Sequence, residues 1–139
     1  MFERCLYFNT QALARKVNKI WTDAFKEYGL SPAHGYLMRL IIHHPGMVQK
    51  EIAEELKLEK STVTRFIDAL EEKGLLKRNK SSQSDQREQG IYPTRKGEKL
   101  GRQLDGAGNE LYQRMVDVVG EEKLKQLVTL LREAGNLLG

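Results

Sequence analysis

Two short amphipathic segments follow each other near the middle of the chain. The first has apolar residues at the spacing i, i+1, i+4, namely Ile52, Ala53 and Leu56. The second has the spacing i, i+3, i+4, i+7, namely Val63, Phe66, Ile67 and Leu70. Both spacings place the apolar side chains on one face of a helix, and Gly74 is a typical stop after the second. Residues 49–74 therefore predict two helices joined by a tight turn.

The flanking pattern predicts four more helices and a small sheet. Apolar stripes with helical period cover about residues 10–28, 32–44, 94–119 and 121–138. Asn9 or Thr10 is the expected cap of the first helix, and Ser31 with Pro32 opens the second. Short strands are predicted at residues 75–78 and 90–93, on either side of a polar loop at about 80–89, with a minimal third strand at 47–48.

The polar face of the second central helix carries hydrogen-bonding residues and no acid over its first two turns: Lys60, Ser61, Thr62, Thr64 and Arg65. A helix that enters the major groove of DNA needs short hydroxyls and a long donor near its N-terminus. The alternative is that Ser61 and Thr62 cap the helix and that Arg65 is a solvated charge. These residues alone leave both interpretations open.

Positive charge is concentrated in the segment that follows. Residues 73–102 contain nine Lys or Arg and three acidic residues, which is a net charge of +6 against +4 for the whole chain. The rest of the chain is therefore at −2. A basic segment centred on a predicted hairpin favours a polyanionic partner. On charge alone, a solvated basic face explains the segment better, but the adjacent helix pair favours nucleic acid.

The order helix, turn, helix and basic hairpin is that of a winged helix-turn-helix, and here the sequence resembles a known family. The block KEIAEELKLEKSTVTRFIDALEEKGLLKR, the triplet Asp85-Gln86-Arg87 and the segment Thr94-Arg95-Lys96-Gly97 are similar to the MarR-type (multiple-antibiotic-resistance) transcriptional regulators. The resemblance covers nearly the whole chain. One departure is Glu59, where the family commonly has a capping aspartate; glutamate caps a helix less well.

The resemblance implies a mainly α fold with a small β-hairpin. Residues 31–94 would form a winged helix-turn-helix DNA-binding domain. Residues 1–30 and 95–139 would intertwine with those of a second chain in a dimerisation bundle, because each apolar stripe needs a partner to cover it. Packing of these helices within one monomer is the alternative.

The expected function is sequence-specific binding to a pseudo-palindromic double-stranded operator by a homodimeric regulator, a repressor that a small effector releases. Arg87 would enter the minor groove, with Asp85 orienting its guanidinium. The candidate DNA-binding residues are Gln49, Lys50, Lys60, Ser61, Thr62, Thr64, Arg65, Lys77, Arg78, Lys80, Asp85 and Arg87. A winged-helix module that binds protein and not DNA is the alternative from another class.

Proteins resembling this one bind small aromatic or anionic effectors in the crevice beside the second helix. The residues of this chain that the resemblance places there are Trp21, Tyr28, His34, Tyr36 and Arg39, although such aromatics are also common in cores. One branch of the family senses hydroperoxides through a cysteine near Cys5. Because Asn9 and Lys19 stand where assisting tyrosines are expected, we expect an inert thiol, with redox sensing as the alternative.

Other classes of protein find little support. The sequence has no Gly-rich phosphate loop, and its three histidines lack nearby cysteine or acidic partners, so we expect no enzyme, no metal and no cofactor. No run of 18 apolar residues is present, and the N-terminus lacks a signal pattern. With a single cysteine, the sequence fits a reducing compartment. We therefore expect a cytoplasmic protein that does not enter membranes.

Overall fold

The computed structural model describes residues 1–80 and 88–139 and confirms the predicted fold class. Six α-helices and three short strands follow in the order α1 (Leu6–Phe25), α2 (Pro32–His43), β1 (Met47–Val48), α3 (Gln49–Leu56), α4 (Lys60–Glu72), β2 (Leu76–Lys80), β3 (Gln89–Pro93), α5 (Arg95–Val119) and α6 (Glu121–Leu138). A 3-10 helix, Lys26–Tyr28, extends α1. Every helix and strand expected from the hydrophobic pattern is present.

The start of the first helix differs from the prediction. Helix α1 begins at Leu6, and the Sγ of Cys5 accepts the hydrogen bond of the Phe8 amide at 3.4 Å as its N-cap. Asn9 and Thr10 lie inside the helix, so their predicted role as caps is wrong. The Asn9 amide instead donates to the carbonyl of Cys5 at 2.7 Å. A cysteine is rarely considered as a cap, which is why the sequence pattern placed the start too late.

The three strands form one antiparallel sheet in the order β1-β3-β2. Strands β2 and β3 make the hairpin, with Arg78 opposite Ile91 and Lys77 opposite Tyr92. The minimal strand β1 pairs Met47 with Ile91, which confirms the short strand predicted there. The hairpin therefore follows α4 directly, as the winged helix-turn-helix order requires.

The chain divides into two compact units, residues Met1–Asp105 and Gly106–Gly139. The fully buried large side chains all lie in the first unit: Phe25, Leu37, Met38, Ile41, Ile52, Val63, Ile67, Leu70, Leu76, Ile91 and Leu104. Burial of each contributes about 1.5–3 kcal/mol relative to exposure. This core is formed by α1, α2, α3, α4, the hairpin and the first part of α5, and it fixes the surface that α4 presents.

Helix α5 starts in close contact with the end of α4. The Thr94 hydroxyl donates to the Gly74 carbonyl at 2.6 Å, and the Gly97 amide donates back to that hydroxyl at 3.1 Å. A Cβ on Gly97 would lie 2.0 Å from the Leu75 carbonyl oxygen. Only glycine permits this approach.

Two lysines strengthen the same corner. The Nζ of Lys73 donates to the Gly29 carbonyl at 3.3 Å, and the Nζ of Lys96 donates to the Lys73 carbonyl at 3.1 Å. Cations near the last turn of a helix interact favourably with its dipole. These two ammonium groups therefore serve the fold, although they belong to the basic segment.

Helices α1 and α6 expose apolar side chains. In α1 these include Leu6, Tyr7, Phe8, Leu13 and Val17, and in α6 they include Val128, Leu130, Leu131, Leu137 and Leu138. No residue of α6 is buried. Among residues 1–80 and 88–139, no helix combines the length and the apolar character needed to cross a membrane.

Candidate nucleic-acid interface

Helix α4 buries one face and exposes the other. Its buried residues are Val63, Ile67 and Leu70. Lys60, Ser61 and Arg65 are exposed, while Thr62 and Thr64 are half-buried. The exposed N-terminal face thus consists of the hydroxyl and basic residues that the sequence pattern predicted. Burial of the apolar stripe in the core orients this face toward solvent.

The side chain of Gln49, the first residue of α3, is bonded to the first turns of α4. Its Nε2 donates to the Lys60 carbonyl at 3.1 Å and also to the Thr64 hydroxyl. The Thr64 hydroxyl itself donates to the Lys60 carbonyl at 3.0 Å. The structure therefore brings two predicted DNA-binding residues together, but their polar atoms already hold α3 and α4 in register. Each keeps some hydrogen-bonding capacity for a further partner.

Arg65 and Thr62 also interact. The Nη2 of Arg65 donates to the Thr62 hydroxyl at 3.3 Å, one helical turn earlier. This single bond leaves most of the five guanidinium donors available. Glu59 is the N-cap of α4 but makes no side-chain capping bond, as expected for glutamate at this position. The side chain of the cap residue thus does not satisfy the first amides of α4, and amides at a helix N-terminus favour an anion.

A cleft of about 230 Å³ lies between the starts of α3 and α4 and the base of the hairpin. It is lined by Val48, Gln49, Lys50, Lys60, Arg78, Glu88, Gln89 and Ile91. Lys50 and Lys60 are both exposed. Two ammonium groups beside a concave surface favour contact with a phosphate backbone.

Arg78 has a different environment from that expected of a phosphate contact. Its Nη2 lies 2.6 Å from Oδ1 of Asp68, and its Nη1 lies 2.7 Å from Oε1 of Glu71. Lys77, its neighbour in β2, is exposed. Lys80 ends β2, and Asp85 and Arg87 lie outside the described residues. Asp68 and Glu71 cannot be recognised as partners of Arg78 from sequence spacing, because they lie on another element.

Three of the five predicted effector residues form a cluster. The indole nitrogen of Trp21 donates to the Tyr36 hydroxyl at 3.0 Å, and the Arg39 guanidinium lies 5.0 Å from the centre of the Tyr36 ring. Arg39 Nε donates to Oδ1 of Asp105 at 2.8 Å. His43 Nε2 lies 2.6 Å from the other oxygen of Asp105. Tyr36 is 39% exposed, so the cluster is open on one side.

His34 lies on another face of α2. Its ring contacts the Phe66 ring of α4 edge-on, with 4.5 Å between the ring centres. Burial, and then the positive charge of Lys73, hold the pKa of His34 below its usual value near 6.5. The ring is therefore neutral in the folded protein at neutral pH. Tyr28 lies in the 3-10 helix. Within the described residues, no group of three or more His, Cys, Asp and Glu side chains could hold a metal ion.

Helix, turn, helix and a β-hairpin, held on one core with a basic outward face, define a winged helix-turn-helix protein. Residues 30–88 match the model of the MarR family. The regulator MgrA of Staphylococcus aureus is 27% identical over 127 residues, which cover 91% of this chain and 84% of MgrA. YybA of Bacillus subtilis, an uncharacterised HTH-type transcriptional regulator, is 28% identical over 88 residues, 63% of this chain and 58% of YybA.

A solved structure has the same fold over the whole chain. The MepR–DNA complex of S. aureus superposes with a TM-score of 0.87 at 22% identity, and the match covers 99% of this chain and 100% of MepR. Over residues 30–88 the chain is therefore similar to the MarR family of winged helix-turn-helix regulators, and it has their fold. The resemblance inferred from the sequence is confirmed.

Proposed function

We propose that the protein is a homodimeric repressor that binds a pseudo-palindromic double-stranded operator through α4. The observation that carries this proposal is the exposed N-terminal face of α4, where Ser61 and Arg65 lie opposite the buried residues Val63, Ile67 and Leu70. Short hydroxyls and an arginine at this end of a helix suit the hydrogen-bond pattern of base edges in the major groove.

Phosphate contacts would come from the surroundings of α4. Lys50 and Lys60 line the cleft, Lys77 is exposed on the hairpin, and amides at the start of a helix favour phosphate oxygens. Such contacts set the register of the protein on the duplex and provide most of the affinity. Arg87 would contact the minor groove beside the half-site.

The dimer is supported by the apolar side chains that α1 and α6 expose in the single chain. Exposed apolar surface of this kind is unusual on a monomer. Pairing with a second copy would cover it and would place two copies of α4 on half-sites one helical turn apart, about 34 Å. Residues 1–30 and 95–139 would supply this interface, and residues 31–94 would bind DNA.

Release by a small aromatic or anionic effector is the regulatory part of the proposal. The cluster of Trp21, Tyr36 and Arg39 offers an aromatic surface and a guanidinium beside partly exposed space. His34, which packs against Phe66 of α4, would contribute only from outside that cluster, and Tyr28 remains a candidate from the 3-10 helix. We further propose that the protein acts in the cytoplasm and is not an enzyme.

Selection from random DNA duplexes tests the proposal. The purified protein should enrich a motif with two-fold symmetry, and its affinity should fall steeply as salt rises, because bound phosphates release counterions. Arg65→Ala should relax the preference at one position in each half-site by about 1–3 kcal/mol. Arg114→Ala, which removes an exposed arginine of α5 outside the winged helix-turn-helix, should change neither result once sedimentation shows that the variant is still dimeric. Affinity that is insensitive to salt, or an enriched motif without symmetry, would refute the proposed function.

A further inference from the structure

We propose that Arg78 is a positioning residue that fixes the orientation of the hairpin relative to α4, and that it is not a phosphate contact. This inference deepens the proposed function and rests on DNA binding by α4 and the hairpin. It reverses the role that the sequence alone assigned to Arg78.

The geometry carries the first step. The two terminal nitrogens of the guanidinium each bind a different carboxylate, Asp68 at 2.6 Å and Glu71 at 2.7 Å. These acids are three residues apart and so lie on one face of α4. The Arg78 side chain is only 21% exposed. The planar fork of arginine suits such two-point binding, and each terminal nitrogen already donates to a carboxylate.

Charge gives the second step. One guanidinium stands between two carboxylates, so this group of three side chains carries a net charge of −1. A phosphate brought to these three side chains alone would meet more negative than positive charge; the positive charge of the cleft that Arg78 also lines comes from Lys50 and Lys60. Lys77 is the preceding residue of the same strand, is exposed, and points to the other face of the sheet because strand side chains alternate. Lys77 therefore serves as a matched basic control.

Connectivity gives the third step. Arg78 lies opposite Ile91 in the hairpin, and Ile91 is buried in the core. Asp68 lies three residues after Arg65 on α4. The bridge thus joins the base of the hairpin to the helix that carries the proposed base contact. With the bridge intact, α4 and the hairpin would meet the duplex as one body, which is what selection of one sequence over others requires.

The two possible roles of Arg78 predict opposite changes in operator affinity for one variant, the double variant Asp68→Asn/Glu71→Gln. We would compare Arg78→Gln, Arg78→Lys, the double variant Asp68→Asn/Glu71→Gln, and Lys77→Gln in the full-length protein. Affinity would be measured for the selected operator and for a random duplex across a salt series. A phosphate contact predicts that the double variant binds both duplexes more tightly, because it frees Arg78 and removes two negative charges.

A positioning role predicts that the double variant loses preference for the operator, as Arg78→Gln does. We expect the ratio of operator to random affinity to fall about tenfold or more in both, with the salt slope of Arg78→Gln unchanged. Arg78→Lys, which can hold one carboxylate, should restore part of the preference. Lys77→Gln should weaken binding to both duplexes equally and lower the salt dependence of that binding. Tighter operator binding by the double variant would overturn the proposal.

Hydrogen exchange without DNA separates this inference from the proposed function. In Arg78→Gln and in the double variant, amides of β2, β3 and the second half of α4 should exchange several-fold faster than in the wild type, whereas Lys77→Gln should match the wild type. Unchanged exchange in both bridge variants would refute the positioning role even if the protein binds DNA. Faster exchange in a protein that selects no duplex would uphold the bridge and reject the proposed function.

Discussion

Replacing Gly97 by alanine tests how the start of α5 is fixed against the rest of the winged helix-turn-helix. The new Cβ would lie 2.0 Å from the carbonyl oxygen of Leu75 and 3.1 Å from the Cε of Met38. The first neighbour is backbone, and the same oxygen accepts the Thr94 amide at 3.1 Å. The clash is therefore relieved only if α5 or the backbone of Leu75 moves by about 1 Å.

The expected magnitude follows from two opposing effects. Overpacking of a well-packed site costs about 1–3 kcal/mol, whereas alanine gains up to about 1 kcal/mol over glycine in a helix. Because the neighbour is backbone, we place the net loss at about 2 kcal/mol. For a domain of this size that lowers the melting temperature by about 6 °C.

Two glycines of the same helix complete a graded series. At Gly101 the added methyl would meet the side chain of Ile42 at 2.6 Å, which can move, so Gly101→Ala should cost less. At Gly106 it would meet nothing within 4 Å, so Gly106→Ala should stabilise by about 0.5–1 kcal/mol. Urea unfolding at one fixed protein concentration gives the order of stability of the three variants. If Gly97→Ala proves as stable as Gly106→Ala, the assigned contact with Leu75 is wrong.

Two further predictions concern His34 and Cys5. The pKa of His34 is lower in the folded protein than in the unfolded chain. As the pH falls below about 6.5, the unfolded chain therefore takes up a proton first. The stability that the neutral ring provides is present above that pH and is lost below it. Urea midpoints at pH 7.5 and 5.5 should therefore differ more for the wild type than for His34→Phe; an equal difference would contradict this. Cys5→Ser should leave DNA affinity unchanged with and without peroxide, and should hold or raise the melting temperature, since serine is a better N-cap than cysteine; peroxide-induced release that the variant abolishes would show a redox role.

The hydrophobic pattern predicted the fold well because each helix has one apolar stripe. The stripe of α4, for example, is the face that the core buries, so the outward face with Ser61 and Arg65 could be identified from spacing alone. The pattern failed at the start of α1, where the cap is Cys5. Helix ends depend on single local bonds, which periodicity does not record.

The partners of charged and polar side chains could not be predicted from spacing. Arg78 had the composition and position of a phosphate contact, yet its carboxylate partners lie seven and ten residues earlier, on another element. His34 and Tyr36 are two residues apart but face different helices, so the predicted effector group divides. Such assignments depend on how helices pack, which one sequence does not specify. The roles of the individual DNA-binding residues therefore remain predictions.

The bond between Trp21 and Tyr36 has a practical consequence. Trp21 is the only tryptophan of the chain, and its indole N–H donates to the Tyr36 hydroxyl within the candidate effector cluster. Indole emission depends on the hydrogen bonding and polarity around the ring, so the protein carries its single indole at the place where we propose that an effector binds. A library of unlabelled compounds could be screened by emission wavelength alone. Quenching by a neutral, water-soluble agent would measure how open that cluster is, with no other indole to confuse the signal.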